Sequence, residues 1–318
     1  MKHATFRQLK VFESVARHLS YSRAAEELYL TQPAVSIQVR KLEEHAGHAL
    51  FEQFGKKVYL TAAGAELLHI SRTILQQFEA AEAAMARLKG VTGGKLNVGV
   101  ISAGDYFFPR LLVEFLGRHQ GVQLNFSVHN REGLLGHIAD NLVDLAVMVR
   151  PPDDLDTINE PFAPHPYVVV APPAHPLAAR RGIALEEVMR EPFIVRERGS
   201  DTWKSMQEGF GGDVSGLNVA MEIRSTETIK QAVMAGMGLS FLSAHTVTRE
   251  LASRSLCVLD VQGLPLMLHW YVVHRCSKRL PPVAQAFREF LLGDGAALIG
   301  QAVPFAVPSR QEEAPVSA

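Results

Sequence analysis

The chain holds only two cysteines, Cys257 and Cys276, in 318 residues. That is too few for a disulfide scaffold and fits a reducing compartment. No run approaches the roughly 18 uncharged apolar residues that a membrane-spanning helix needs. The opening stretch, Met1-Lys-His-Ala-Thr-Phe-Arg-Gln-Leu-Lys10, lacks the apolar core and small-residue cleavage site of an export signal, so a cytoplasmic protein without membrane partners is expected. Cysteine pairs at metal-ligand spacing and paired histidines on a helix are both missing, so no metal site is expected. Gly236 and Gly238 are followed by Ser240 rather than a third glycine, and they close a helix instead of opening one, unlike a dinucleotide fingerprint. No Gly-x-Ser-x-Gly elbow or phosphate loop occurs, and nothing sets a nucleophile beside a base. His165, His175, His269 and His274 stand beside prolines or in strand patterns, where a structural or surface role is the reading. An enzyme is not expected, nor a cofactor.

What is present is a chain rich enough in apolar residues (47%, against 20% charged) to build about two domains with real cores. Its net charge of −1 hides an asymmetry. Residues 1–90 carry twelve Lys and Arg against nine Glu and no Asp, a net of +3, which leaves −4 for the remainder. Any nucleic-acid contact is therefore expected at the N-terminus.

Three short helical patterns open the chain. Phe6, Leu9, Phe12, Val15 and Ala16 form one apolar stripe from about Thr5 to His18. Ser20 is a cap for a second helix, from Tyr21 to about Leu28, with a small Ala24-Ala25 face. Thr31 caps a third, with Pro33 in its first turn and a Val35, Val39, Leu42 stripe to about Ala46. Helix, turn, helix lays its second member in a DNA major groove. The exposed side of the third helix reads Gln32, Ala34, Ser36, Ile37 and Arg40. Gln can pair with adenine, Ser can meet any base edge, and Ala or Ile can touch a thymine methyl. Phe51 to Thr61 then reads as a hairpin wing turning at Gly55, with Lys56 and Lys57 at its tip for phosphates.

The order Phe6-x-x-Leu9-x-x-Phe12-x-x-Val15-Ala16, Ser22-x-Ala24-Ala25-x-x-Leu28, Thr31-Gln-Pro-Ala-Val-Ser36, Leu42-Glu43, Leu50-Phe51 and Leu60-Thr61-x-x-Gly64 resembles the winged helix-turn-helix of LysR-type transcriptional regulators. The resemblance implies that Gln32, Pro33 and Ser36 approach base edges and that Ser22 and Arg23 meet the DNA backbone. It also implies an effector-responsive regulator acting on double-stranded DNA with RNA polymerase. One departure is Gln53, where many members of the family carry Arg, so wing contacts would rest on Lys56 and Lys57.

Between Gly64 and Gly90 the chain lacks glycine and proline. Leu67, Ile74, Ala81 and Leu88 recur every seven residues, with Ser71, Phe78 and Met85 interleaved. Such a seam suits a helix pair, with a helix packed on its own body as the lesser alternative. The resemblance favours dimerisation, and a homotetramer beyond it. Gly90, Gly93 and Gly94 read as the helix end and a hinge.

From Lys95 strands and helices alternate, with a strand expected over Tyr167–Ala171 and helices over Leu134–Asn141, from about Trp203 and over about Pro282–Leu292, which predicts an α/β body on a parallel sheet. The resemblance implies a two-lobed, periplasmic-binding-protein-like effector domain, with chain crossings near Phe162–Tyr167 and Leu266–His269. The expected organisation is a DNA-binding domain over 1–62, a linker helix over 63–90 and an effector domain over 91–302. Lobe I is expected over about 95–163 and 269–302, lobe II over about 164–268, with a polar, unstructured tail over 303–318. Ligands in such folds sit at the carboxyl ends of strands. That rule selects Ser102, Ala103, Asn130 and Arg131 in the first half. In the second it selects Gly199, Ser200, Asp201 and Thr202, and then Ser225, Thr226 and Glu227. Hydroxyls and free N–H groups at helix starts receive a carboxylate or phosphate.

Asn130-Arg-Glu132, Asp144 to Pro152, Arg196 to Ser200, Glu227 to Gly238 and Ser277-Lys-Arg-Leu280 resemble, more narrowly, the RuBisCO-operon regulator subgroup. That resemblance implies an activator of Calvin-cycle genes responding to a small anionic metabolite of that cycle, such as a phosphorylated sugar. Arg131, Arg150, Arg196 and Arg198 are its candidate cations, although Arg198 stands where Pro is often found. Two other readings are a LysR-type regulator of another operon and a DNA-binding structural protein that answers to no ligand. A body of more than 200 residues of α/β pattern argues against the second.

Overall fold

The computed structural model describes residues 4–55, 57–88 and 93–303. They form two compact units, one drawn mainly from the first 92 residues and the other from the α/β remainder. Lys56, Gly90 and the tail from 304 onward lie outside the described residues.

The first unit begins with α1 (Phe6–His18), α2 (Tyr21–Glu27) and α3 (Gln32–Ala46). Side-chain oxygens open all three: Thr5 accepts from the Gln8 N–H, Ser20 from that of Arg23, and Thr31 from that of Ala34. Each removes an otherwise unmatched donor at a helix start. At Thr5 the cap is reciprocal, because the Gln8 side-chain oxygen Oε1 accepts the Thr5 N–H at 2.9 Å. Val11 and Val15 of α1 bury against Ala24 and Ala25 of α2 and Val35 and Val39 of α3. Glu27 ties α2 back to α1, accepting from Arg17 Nη2 at 2.6 Å and meeting His18 Nε2 at 2.5 Å. Burial alone would raise that carboxyl, but the hydrogen bonds from Arg17 and His18 outweigh it and hold it below the usual range.

A hairpin of β1 (Phe51–Phe54) and β2 (Lys57–Leu60) follows, then α4 (Ala62–Leu88). Glu43 of α3 anchors the hairpin by accepting the Leu50 and Phe51 N–H groups at 2.8 and 3.3 Å. Gly64 is where α4 passes the hairpin: a Cβ there would lie 2.0 Å from the Leu50 carbonyl oxygen. The seven-residue seam on α4 divides. Leu67 and Ser71 are buried, Leu67 joining Leu9, Phe12 and Leu42 in the unit's own core. Ile74 and Phe78 stay nearly half exposed, and the side chains of Met85 and Leu88 lie outside the described residues. So the start of the seam serves the body, because Leu67 and Leu68 complete the floor under α1.

In the second unit β3 (Gly94–Ile101) runs parallel between β4 (Val122–His129) and β5 (Leu145–Met148). Their connections are α5 (Phe108–Arg118) and α6 (Arg131–Ala139). The long strand β6 (Thr157–Ala171) pairs antiparallel with β11 (Leu266–Arg275), and from Tyr167 onward also with β9 (Ser240–Ser243) and β10 (Cys257–Val258). β7 (Phe193–Arg196) and β8 (Val219–Ile223) make a small parallel pair, joined to the β9 neighbourhood by a bridge from Phe193 to Leu239. Around this second half lie α7 (Leu185–Arg190), α8 (Asp201–Gly209), α9 (Thr226–Met234) and α10 (Thr248–Ala252), and α11 (Pro282–Ala302) ends the described chain. Phe108, Phe115 and Phe287 interlock over β3–β5, with Phe115 and Phe287 centroids 4.8 Å apart. Val168, Val170, Ile194, Ile229, Val233 and Leu242 fill the other half.

Four expectations change here. The sheet is mixed rather than parallel, because the two segments expected as crossings are strands paired with each other in opposite directions, Leu266 opposite Tyr167 and His269 opposite Pro164. The first crossing is one 15-residue strand; Pro161, Pro164 and Pro166 masked it, since proline cannot donate to a ladder. α6 starts at Arg131, not Leu134, because the Asn130 side-chain oxygen accepts the Gly133 N–H at 2.9 Å and caps it. α11 continues ten residues beyond the expected end at Leu292. Gly295, within this extension, is a packing residue whose Cβ would sit 2.8 Å from Phe162. Among the described residues no helix is long and apolar enough to cross a membrane.

Candidate functional site

Two surfaces collect the residues singled out above, one in each unit. On the first unit Gln32, Pro33, Ser36, Ile37 and Arg40 are exposed along α3, while Ala34 is half-buried. The buried stripe of Val35, Val39 and Leu42 fixes this orientation by turning the opposite face outward. The side chains of Gln32 and Ser36 have no hydrogen-bond partner among the described residues. Arg40 reaches Glu44 one turn on at 3.6 Å, both well exposed, a pair of small energetic weight. Ser22 and Arg23 are exposed in the first turn of α2, and Lys57 is exposed at the start of β2. Gln53 folds back, its amide donating to the Gly55 carbonyl at 3.1 Å. Tyr29, read only as a lead-in to Thr31, is 96% exposed with a left-handed φ of 53°. The sequence carried no signal for that conformation, which Gly or Asn adopts more readily than Tyr.

On the second unit a cavity of about 20 Å³, room for about one water, lies among strand ends and helix starts. Ser102, Ala103, Asn130 and Arg131 line it from the β3 and β4 ends. Ser200, Asp201 and Thr202 line it from the start of α8, where the Ser200 hydroxyl caps the helix by accepting the Trp203 N–H at 3.2 Å. Ile101, Tyr167 and Arg196 complete the lining. Tyr167 was read only as a strand residue; its place depends on β6 pairing with strands about a hundred residues away.

Gly199, Ser225, Thr226 and Glu227 are not in this lining. Gly199 is exposed with φ of 92°. Ser225 caps α9. Thr226 stands one hydrogen bond behind the cavity, accepting from Arg196 Nη1 at 2.9 Å. Glu227 turns to Lys230 at 2.8 Å and to the Tyr106 hydroxyl at 3.4 Å. Of the four candidate cations, Arg131 and Arg196 face the cavity. Arg150 reaches Ser205 and Glu208 on α8. Arg198 points elsewhere, 5.6 Å over the ring of Trp203.

The cavity's charges are internally matched. Arg131 donates to Asp201 Oδ1 at 3.1 Å, with both side chains close to fully buried, and also to the Arg150 carbonyl. Arg196 holds Glu197 through two hydrogen bonds of 2.7 and 3.0 Å. Burial raises the Asp201 carboxyl above its ordinary value, opposed by Arg131. Asp201 Oδ2 and the Tyr167 hydroxyl are buried with no hydrogen-bond partner. Beyond Tyr167 lies an aromatic cluster in which His165, fully buried, sits 4.6 Å from the Tyr167 ring and 4.4 Å from that of Trp270. Elsewhere in the unit, Asp144 pairs with Lys278 at 2.9 Å, joining two of the segments that carry the narrower resemblance.

Comparison with known proteins matches residues 6–65 to the bacterial regulatory helix-turn-helix protein, lysR family, and residues 89–296 to the LysR substrate binding domain. A RuBisCO operon transcriptional regulator of Allochromatium vinosum is 47% identical over 93% of this chain and 98% of its own. The HTH-type transcriptional activator CmpR of Synechocystis is 42% identical over 95% of this chain and 99% of its own. Among solved structures, the Synechocystis CcmR regulatory domain in complex with 2-PG is 36% identical, covering 63% of this chain and 96% of that domain with a TM-score of 0.60.

Proposed function

Because the chain belongs to the LysR family of bacterial regulatory helix-turn-helix proteins, we propose that it is a cytoplasmic transcriptional activator of carbon-fixation genes, the RuBisCO operon above all. The observation that carries this reading is the 47% identity, over 93% of this chain and 98% of the relative, with a RuBisCO operon regulator. The chain is a regulator and not an enzyme. α3 enters a major groove, where Gln32 and Ser36 meet base edges and Pro33, Ala34 and Ile37 offer apolar contact. Ser22, Arg23, Arg40 and Lys57, with Lys56, meet phosphates and hold the register. The exposed stretch of α4 around Ile74 and Phe78 pairs with a second copy, which fixes the spacing of two half-sites. Further pairing into a tetramer, and contact with RNA polymerase, complete the assembly.

The second unit acts as a two-lobed, periplasmic-binding-protein-like sensor over 91–302, and its cavity is the effector site. The lining supplies what a small phosphorylated anion needs: the guanidinium groups of Arg131 and Arg196, four hydroxyl side chains (Ser102, Tyr167, Ser200 and Thr202) and the N-terminus of α8. CcmR's complex with 2-PG makes that compound the first ligand to try, beside ribulose bisphosphate. Effector binding favours one lobe arrangement and so shifts half-site spacing or DNA bend. The test is a footprint on the DNA upstream of the chain's own gene, with and without each compound. Protection whose boundaries move with ligand supports the reading. Fixed protection removes these two effectors, and no protection at any RuBisCO-operon promoter overturns the target assignment.

A further inference from the structure

We propose that Asp201 is a resident anion of the effector site, occupying the guanidinium of Arg131 that the effector's own anionic group must take, so that ligand entry is an anion exchange. The inference rests on the cavity being the effector site. Its grounds are geometric. Arg131 comes from the start of α6 and Asp201 from the first turn of α8, and they meet at 3.1 Å with about a tenth of either side chain exposed. The space left beside them, about 20 Å³, takes about one water. Asp201 Oδ2 and the Tyr167 hydroxyl, both buried in the lining, lack hydrogen-bond partners. Buried polar atoms are normally satisfied, so their orphaning marks a place where another molecule's atoms belong.

The second cavity arginine follows the same pattern, since Arg196 is held by Glu197 on two hydrogen bonds. Arg150 extends it, bonding Ser205 and Glu208, which lie four and seven residues beyond Asp201 on one face of α8. Helix α8 is thus fastened by arginines that an anion could claim. Exchange sets a threshold. A monoanionic carboxylate replacing Asp201 trades like for like and gains little. A dianionic phosphate carries more charge and more acceptor oxygens to the same fork, so the site selects phosphorylated ligands over simple carboxylates. Once displaced, the Asp201 carboxylate remains at the favourable N-terminal end of α8.

The test is calorimetric titration of the full-length chain with inorganic phosphate, and with acetate as the monoanion. Asp201→Asn keeps the shape and removes the competing charge, and it is expected to bind phosphate at least tenfold tighter than the original chain. The gain should vanish when Arg131→Gln is added. Phosphate affinity that is equal or weaker in Asp201→Asn, including no binding by either protein, overturns the proposal. A gain for acetate as large as that for phosphate also overturns it. Should Asp201→Asn misfold by circular dichroism, Asp201→Gly carries the same prediction. The footprint separates this inference from its premise. If Arg131→Gln leaves a ligand-dependent footprint shift unchanged, the effector-site reading falls and this inference with it. If the shift needs Arg131 while Asp201→Asn gains nothing, only the resident anion falls.

Discussion

The two units keep their polar groups in opposite states. Along α3, the Gln32 and Ser36 side chains are exposed and bonded to nothing among the described residues. In the cavity of the second unit the cations are already matched, Arg131 by Asp201 and Arg196 by Glu197. The contrast follows from burial. An exposed amide or hydroxyl is satisfied by water and can wait for a base edge at little cost. A buried guanidinium without a partner would lose several kcal/mol of solvation, so it must be paired before any ligand arrives. On the proposed reading one surface works by adding contacts, while the other works by exchanging them. Truncation on the first should weaken binding, whereas removing an internal partner in the second should strengthen it.

The largest expected effect tests whether the units can be broken separately. Gly64→Ala puts a Cβ 2.0 Å from the Leu50 carbonyl oxygen, and a backbone atom cannot move aside as a side-chain tip can. A cost of several kcal/mol is expected, at the upper end for a single substitution. Operator binding in gel shift should be lost, while phosphate affinity of the second unit by calorimetry is kept. Parallel loss of both would mean that the units fold as one.

Acid should separate them next. The Trp270 indole N–H donates to His245 Nδ1 at 3.3 Å, and burial pushes that imidazole down to about 4. Protonation removes the acceptor. A histidine whose folded value lies below its unfolded one stabilises above about pH 6.5 and loses that contribution as pH falls through the folded value. The second unit should therefore weaken between about pH 6.5 and 4, by roughly 3 kcal/mol from this residue. His165, held well below its ordinary value by burial and then by His245, adds in the same direction. In the first unit Glu27 is held low, so its contribution stays full above pH 4.5 and is lost only below. Melting curves from pH 7 to 5 should show the α/β transition moving down while the helical one stays. A His245→Gln chain that still shows the full downward shift would remove the assignment.

The first unit was the more legible because its signals are local. Ser20 and Thr31 announce their helices within three residues, and the apolar stripes repeat inside single helices. The cavity was legible where it rests on caps and strand ends, as at Ser102, Arg131 and Ser200. It was hidden where it depends on pairing across the chain. Tyr167 enters the cavity because β6 is continuous through three prolines and meets β11 and β9. Arg196 gains its position from the pairing of β7 with β8 and the bridge to Leu239. The starts of α6 and α8 fell two or three residues before the first apolar position, because Asn130 and Ser200 rather than hydrophobic period decide them. The end of α11 escaped because a glycine can pack as well as stop a helix.

The smaller predictions sharpen the exposed side of the comparison. Gln32→Ala should weaken binding to the operator by about tenfold to a hundredfold, the range of about 1–3 kcal/mol for one bidentate base contact. Binding to random DNA should hardly change, because non-specific affinity comes from phosphates. Equal loss on both would remove the base-reading role. Lys57→Ala should act the other way. Its exposed ammonium at the start of β2 neutralises a phosphate without reading sequence. The slope of log affinity against log salt should then fall by about one, with the ratio of specific to random binding kept. A changed ratio would mean that the wing reads shape or groove width instead. A salt slope left intact would mean that Lys57 stays in solvent, and the wing's phosphate contact would pass to Lys56.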